Sequence, residues 1–414
     1  MVAALTRVFG VHNLALAEDV VQDALCRALE VWKFRGVPDN PSAWLMTAAK
    51  HRALDVLRRE RTARTFAPEL GRLLESEWTA APTLQSLFEP SAIRDDELRM
   101  MFSCCHPRLP EEAQVVLVLN LLCGFGTQEI AKAFLSSRAA IEKRISRGKK
   151  ALASAKTLFD LSSSGSEFEG RLVAVQRAIY LLFNEGYHGA TEAAVRVELC
   201  DEALRLARLL LQHAPSAVPS THALAALMCL HLARLPARLD VAGYLIPLAE
   251  QDRALWDRRL IDEGLRLLDL SAAGSELSNY HVEAAIAAVH ADAPSVEATR
   301  WGQIVALYDT LLSLRPSPVV ALQRALAVAE LCGPDRGLDA LRAIEDTERL
   351  ETYPFYFASL GELELRRGNL APAKSQFQSA LAVARSKLER HFLRGRIAEC
   401  EVREKASAGR SETD

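Results

Sequence analysis

The sequence is poor in residues that interrupt helices, with 20 Gly and 17 Pro in 414 positions. No stretch alternates apolar and polar residues over a strand's length, so sheet folds are set aside. CxxC pairs are missing as well. A zinc site needs about four ligands at workable spacing. Cys104-Cys105-His106 comes nearest, and only Cys123 lies close by. The eight cysteines are therefore read as buried reduced thiols, with no metal ligand among them. Long apolar runs are missing too. Residues 113–128 are broken by Gln114, Asn120 and two glycines, and 214–233 hold Pro215, Pro219 and two His. Neither run spans a membrane, and no secretory signal heads the chain, so a cytoplasmic location is expected. HExxH, a Ser-His-Asp cue, a phosphate loop and a dinucleotide glycine pattern are all lacking. The tail does hold His188, His213, His222, His231, His281 and His290. Nothing accompanies them, so no catalytic residue, no cofactor and no enzyme is expected.

What remains is rich in Leu, Ala, Arg and Glu, and predicts an all-α protein. Its net charge of −3 hides an asymmetry: residues 1–157 hold 22 Lys+Arg against 18 Asp+Glu, and the remainder 28 against 35. A basic front on an acidic back points to a polyanion partner for the front alone. The most basic stretch, Gly124–Leu152, reads as two short helices and a tight turn. Thr127 is a candidate N-cap, Glu129 suits the first turn, and Ile130, Ala131 and Phe134 share one face. Leu135-Ser136-Ser137 forms the turn, with a Ser to cap the next helix; Ile141, Ile145 and Leu152 then recur at helical spacing. Between them stand Arg138, Glu142, Lys143, Arg144, Arg147, Lys149 and Lys150. This is a helix-turn-helix whose second helix fits a major groove, its cations reaching phosphates on either side. The competing reading is a solvated basic helix in a bundle.

Upstream, Leu14–Glu30 is amphipathic, with a stripe of Leu14, Ala17, Val21, Ala24, Leu25, Ala28 and Leu29. Glu18, Asp19, Gln22 and Asp23 form an acidic face, either solvated or a dock for a basic protein. Phe34–Pro41 is a loop, in which Asn40 caps and Pro41 opens a helix over about 42–61. Leu45, Ala49, Ala53, Val56 and Leu57 share one side of it; Trp44, His51, Arg52, Asp55, Arg58 and Arg59 lie mostly opposite. Such a face suits melted DNA, by stacking and phosphate contacts; alternatively Trp44 packs on the preceding helix. Residues 62–92 have no period and read as a linker, with a short helix near Leu70–Glu77. A new helix covers Asp95–Phe102, and Glu111–Leu122 is a strongly apolar one.

AEDVVQDALCRALE, then PSAWLMTAAKHRALDVLRRE, then PEEAQVVLVLNLLCGFGTQEIAKAFLSSRAAIEKRISRGKKAL resemble regions 2 and 4 of a bacterial RNA polymerase sigma factor of the extracytoplasmic function (ECF) type. The resemblance implies region 2 over 1–62, a linker over 63–92 and region 4 over 93–158. Glu18, Asp19, Gln22 and Asp23 would then grip the polymerase β′ coiled coil, with the β flap as a further contact. Trp44, Lys50, His51, Arg52, Arg58 and Arg59 would engage the melted −10 element, and Arg138, Glu142, Lys143, Arg144, Arg147 and Lys149 the −35 element. Two departures stand. The first helix is shortened at MVAALTRVFG, or the true start lies upstream. His51 and Glu142 replace the Asn and the base of many relatives, so promoter preference is not carried over.

Beyond Ser162–Ser166 the sequence predicts eleven or twelve helical segments, a domain over 167–405 and a disordered tail over 406–414. In Pro354–Lys387, Leu360, Gly361, Gly368, Ala373, Phe377 and Ala380 fall at the spacing of a tetratricopeptide repeat, with Leu360 and Phe377 filling the seam. Trp301–Glu330 looks like a looser repeat. A helical solenoid offers a surface for a peptide or protein; its alternative is a bundle that only packs. LLFNEGY (181–187) and QDRALWDRRLIDEGL (251–265) resemble segments of the ECF subgroup with a tetratricopeptide-like C-terminal extension. By composition, Asp252, Arg253, Trp256, Asp257 and Arg258 form an ion-paired amphipathic helix. The expected function is a sigma factor regulated by its own extension. The competitor is a helix-turn-helix regulator with a sensor domain that leaves the sigma subunit in place.

Overall fold

The computed structural model describes residues 1–62, 90–134, 136–154, 158–161, 165–188, 195–240, 244, 246–345, 347–384 and 387–411. Among these residues lie eighteen α-helices and no strand, so the all-α expectation holds. The linker through residue 89, with its Leu70–Glu77 helix, and Leu135 lie outside the described residues. The chain divides into two compact units, residues 1–181 and 182–414.

The first unit opens with α1 (Val2–Phe9), a 3-10 turn (Val11–Asn13), α2 (Leu14–Arg35) and α3 (Pro41–Thr62). Leu5 and Phe9 of α1, Ala17, Val20, Val21 and Ala24 of α2, and Met46 and Ala49 of α3 close one core. Gly10, at φ 80°, ends α1 in a conformation that a side chain would strain. Asn40 Oδ1 accepts from the Ala43 N–H at 3.0 Å, so the expected cap forms. The stripe on α2 is narrower than expected. Leu14, Ala17, Val20, Val21, Ala24 and Ala28 are buried, whereas Leu25 is 44% and Leu29 75% exposed. At 100° per residue those two leucines fall off the core edge defined by Ala24 and Ala28.

Next come α4 (Pro90–Cys104), α5 (Glu111–Leu121), α6 (Thr127–Ala133), α7 (Arg138–Ala153) and α8 (Ser166–His188). Pro90 starts α4 five residues before the expected Asp95. Glu111 and Glu112 favour the N-terminal dipole of α5, whose Val115–Leu119 are buried at the centre. Gly148 of α7 lies on Leu117 of α5; a Cβ there would come within 2.6 Å of Leu117 Cδ1. Gly148→Val should therefore destabilise by about 1–3 kcal/mol through overpacking, read as a lower Tm in thermal unfolding.

The Ser-rich segment does not end this unit. Phe159 and Phe168 stack on Phe102 at 5.5 and 5.1 Å. Arg171 donates to the Phe102 carbonyl at 3.1 Å and lies 4.7 Å over the Phe159 ring. Arg177 pairs with Glu111 at 2.8 Å. The division at 181/182 consequently falls inside α8, past the expected limits of 158 and 167.

The second unit takes the end of α8, then α9 (Val197–Leu211), α10 (Pro219–Leu232), α11 (Arg258–Ser271), α12 (Asn279–Asp292), α13 (Trp301–Leu314), α14 (Pro318–Cys332), α15 (Pro334–Arg342), α16 (Pro354–Arg366), α17 (Leu370–Val383) and α18 (Lys387–Ser411). Sequence neighbours pack in pairs, α10 on α11, α13 on α14, α16 on α17 and α17 on α18. In the α16–α17 pair the glycine makes the close approach, since a Cβ on Gly361 would sit 2.8 Å from the Phe377 ring. Phe377 fills that seam as expected; Leu360 instead packs against the core of Leu322, Leu338 and Leu363. The last helix runs to Ser411, past the expected start of the tail at 406. Glu, Lys and Ala there are good helix formers.

Residues 251–265 are not one ion-paired helix. Asp252 accepts from the Ala254 N–H at 2.9 Å and caps a 3-10 turn, Arg253–Leu255. Asp257 accepts from the Arg259 and Leu260 N–H groups at 2.9 and 3.3 Å and caps α11. Near the end of α8, burial pushes the Glu185 carboxyl up to about 7. Charging it opposes folding, so this contribution is full below the ordinary carboxyl value of 4.5 and is lost as pH rises through about 7. Glu185→Gln should flatten the slope of Tm against pH in that window and raise Tm on its alkaline side.

Candidate polymerase and promoter interfaces

The helix-turn-helix is built as its sequence dictates, with one change of cap. Ile130 N–H donates to the Gly126 carbonyl and Glu129 accepts from the Gly126 N–H at 2.7 Å, so Gly126, not Thr127, is the N-cap of α6. Ser137 Oγ accepts from the Ala140 N–H at 3.2 Å and caps α7. Ile141, Ile145, Gly148 and Leu152 are buried, which fixes the rotation of α7 and turns Glu142, Lys143, Ser146, Arg147 and Lys150 to solvent.

The basic residues then part company. Lys143 and Arg147 stand on the open face. Arg138 is tied within the helix to Glu142 at 2.7 Å. Arg144 leans to α5 and pairs with Glu112 at 2.9 Å. Lys149 Nζ meets both carboxylate oxygens of Glu18 on α2, at 2.6 and 2.7 Å. Beside that pair an open cleft is lined by Val11, Leu14 and Ala15 and by Glu142, Ser146 and Lys150.

On α2, Asp19, Gln22 and Asp23 are exposed as expected, and Glu18 is half-buried against Lys149. The sequence reading missed the apolar part of this surface. Glu18, Gln22, Leu25 and Leu29 follow one another at helical spacing, and Phe34 beyond them is 84% exposed. The spacing of Ala17, Ala24 and Ala28, which already suffices for the core, was the signal for it.

On α3, His51 and Arg52 are exposed, and Arg52 Nε donates to Asp23 at 2.6 Å. Trp44 is half-buried and packs edge-on against Trp32 of α2, centroids 5.5 Å apart. The packing alternative for Trp44 is thus realised, with part of the ring still open. The side chains of Lys50, Arg58 and Arg59 lie outside the described residues. The inter-helix pairs Arg52–Asp23, Arg144–Glu112 and Lys149–Glu18 are all partly exposed, so each holds its partners by only about 0–1 kcal/mol. None of the three prevents exchange for an outside partner. Cys104 and Cys105 are buried with their thiols pushed up, Cys105 to about 12, and so are poor nucleophiles and poor ligands.

Three stretches match known families. Residues 1–63 match Sigma-70 region 2, residues 99–152 match Sigma-70, region 4, and residues 171–272 match a family of unknown function, DUF6596. A protein of Rhizobium meliloti described as uncharacterized is 39% identical over 392 residues, covering 94% of this chain and 91% of its own length. The architecture is that of a sigma factor for transcription initiation, a DNA-binding protein that works with the RNA polymerase core. The chain belongs to the sigma-70 family, in a form that continues into a DUF6596 domain and is shared along almost its whole length with the Rhizobium protein. Among the described residues no helix is long and apolar enough to cross a membrane.

Proposed function

We propose that this chain is an ECF-type sigma factor regulated by its fused helical domain. The open face of α7, with Lys143 and Arg147 held outward by buried Ile141 and Ile145, carries the promoter reading. In this reading α7 takes the −35 element and α3 the melted −10 element. The stripe Glu18–Leu29 takes the β′ coiled coil, and region 4 meets the β flap. Regulation is assigned to the second unit because it continues the same chain directly after region 4 and brings a separate helical core of its own. The second unit is read as tetratricopeptide-like, on the strength of the α16–α17 pair closed by Gly361 under Phe377, and would take a peptide or protein ligand.

Run-off transcription from genomic promoter fragments tests this, with core polymerase and either the full chain or residues 1–181. A cut at 181 keeps Phe168 and Arg171 in place, where a cut at the Ser-rich segment would strip them from Phe102. Promoter-specific transcripts support the sigma reading, and the truncation gives the sign of the extension's effect. If neither form directs transcription while the full chain still shifts duplex DNA, the helix-turn-helix regulator replaces it.

A further inference from the structure

The second unit gathers three arginines that no carboxylate pairs with among the described residues. Arg234 follows α10, Arg238 follows a 3-10 turn at Leu235–Ala237, and Arg253 opens the turn capped by Asp252. Arg253 is 9% exposed. Its Nη1 donates to the carbonyls of His290 and Ala293 at 2.9 and 2.6 Å, and its Nη2 to Thr299 Oγ1 at 3.2 Å. Arg238 Nη2 donates to the Tyr187 carbonyl at 3.1 Å, with its guanidinium 3.7 Å from that ring's centroid. Arg234 and Arg253 both face the Trp256 indole, at 5.5 and 5.2 Å. Arg234 reaches Gln251 Oε1 only at 3.5 Å.

These cations have partial compensation. Tyr187 and His290 lie in the last turns of α8 and α12, and a helix C-terminus carries about half a negative charge. Three guanidiniums against two helix ends leave an excess of about two positive charges. Glu297, whose carboxylate acts on Arg253 through space, is engaged by Ser295 and its own backbone.

Capping also leaves donors over. The Nε of Arg238, the Nε of Arg253 and the Nε1 of Trp256 are buried without an acceptor, and Trp256 is 3% exposed. All three can only donate. His290, 8% exposed, has an unpartnered Nδ1, and burial beside Arg234 and Arg253 lowers its pKa to about 3, so it adds no charge. Orphaned buried donors are costly and call for an acceptor. Arg234 and Arg238 are half-buried and form the solvent side of the cluster. Aromatic walls lower the local dielectric and strengthen whatever charge-assisted bonds form there.

We propose that Arg234, Arg238, Arg253 and Trp256 form a binding site for a small, doubly charged oxyanion, a phosphate or dicarboxylate group. The site stands whether or not the chain acts as a sigma factor.

Thermal unfolding of the full chain at constant ionic strength tests it, with phosphate, sulfate and succinate as ligands and chloride and acetate as controls. Sulfate and phosphate stabilise folded proteins in general, by exclusion and without saturation at low concentration. The expected result is a saturable rise in Tm with at least one dianion. Phosphate and sulfate acting without succinate assign a tetrahedral group, and succinate acting without them a dicarboxylate. In Arg234→Gln the half-saturating concentration should rise about tenfold, the loss of one charge-assisted bond. Arg234 is chosen because its side chain makes no capping hydrogen bond to a helix. Should that variant fail to fold, crystals of the native chain soaked in selenate give a second reading, an anomalous peak against Arg234 and Arg253. Dianions that act no differently from chloride, a saturable response unchanged in Arg234→Gln, or an empty anomalous map at these arginines overturns the proposal.

Discussion

A chain carrying Lys143→Ala and Arg147→Ala should bind core polymerase and direct no promoter-specific transcript. Both side chains are exposed on α7 and neither supports the helix, which is held by Ile141, Ile145 and Leu152 from below and by Ser137 at its start. A base-reading or phosphate contact is worth about 1–3 kcal/mol. Losing two lowers promoter occupancy on the order of a hundred-fold at fixed salt. The slope of binding against salt should also shrink by about two if both residues hold phosphates. Arg144 is a worse probe, because its pairing with Glu112 mixes the loss of a DNA contact with a disturbed α5–α7 packing. Lys149→Ala should act more weakly, since Lys149 must first leave Glu18. The measurement is run-off transcription beside a core-polymerase pulldown. Wild-type transcription by the double variant would remove this face from promoter reading.

What the sequence revealed were the features set by near neighbours. The caps at Asn40 and Ser137 and the phase of Ile141, Ile145 and Leu152 depend on residues within a few positions, and all are found. What it concealed was set by distant partners. Nothing local ties Lys149 to Glu18, 131 residues away, or Phe102 to Phe159 and Phe168. The Ser-rich segment thus resembles a domain boundary although an aromatic cluster folds the next helix back. Asp252 and Asp257 mislead for another reason. Asp257 lies four residues after Arg253, and both aspartates stand directly before an arginine; such acids suit an ion pair or an N-cap, and only the backbone conformation decides between them. Leu25 and Leu29 read as core because they are apolar, though the alanine stripe beside them already closes it.

Those two leucines carry the second large effect. Leu25→Asp with Leu29→Asp should abolish core-polymerase binding and leave the helical signal and Tm close to those of the native chain. The side chains are 44% and 75% exposed and stand outside the cluster formed by Ala17, Val20, Val21 and Ala24, so the first core loses nothing by the change. On an interface they would be the desolvated centre, with Glu18, Gln22 and Asp23 as its polar rim. Residues so placed commonly cost about 2–4 kcal/mol each when lost, against near-neutral values at the rim. Burying two carboxylates adds an uncompensated charge to that loss. Ala24→Asp, 2% exposed and one residue from Leu25, is the contrast: it should unfold the α1–α3 core and lose binding for that reason. The measurements are a pulldown of core polymerase and thermal unfolding of each variant. A folded double variant that still binds core polymerase would move the docking surface off this face of α2.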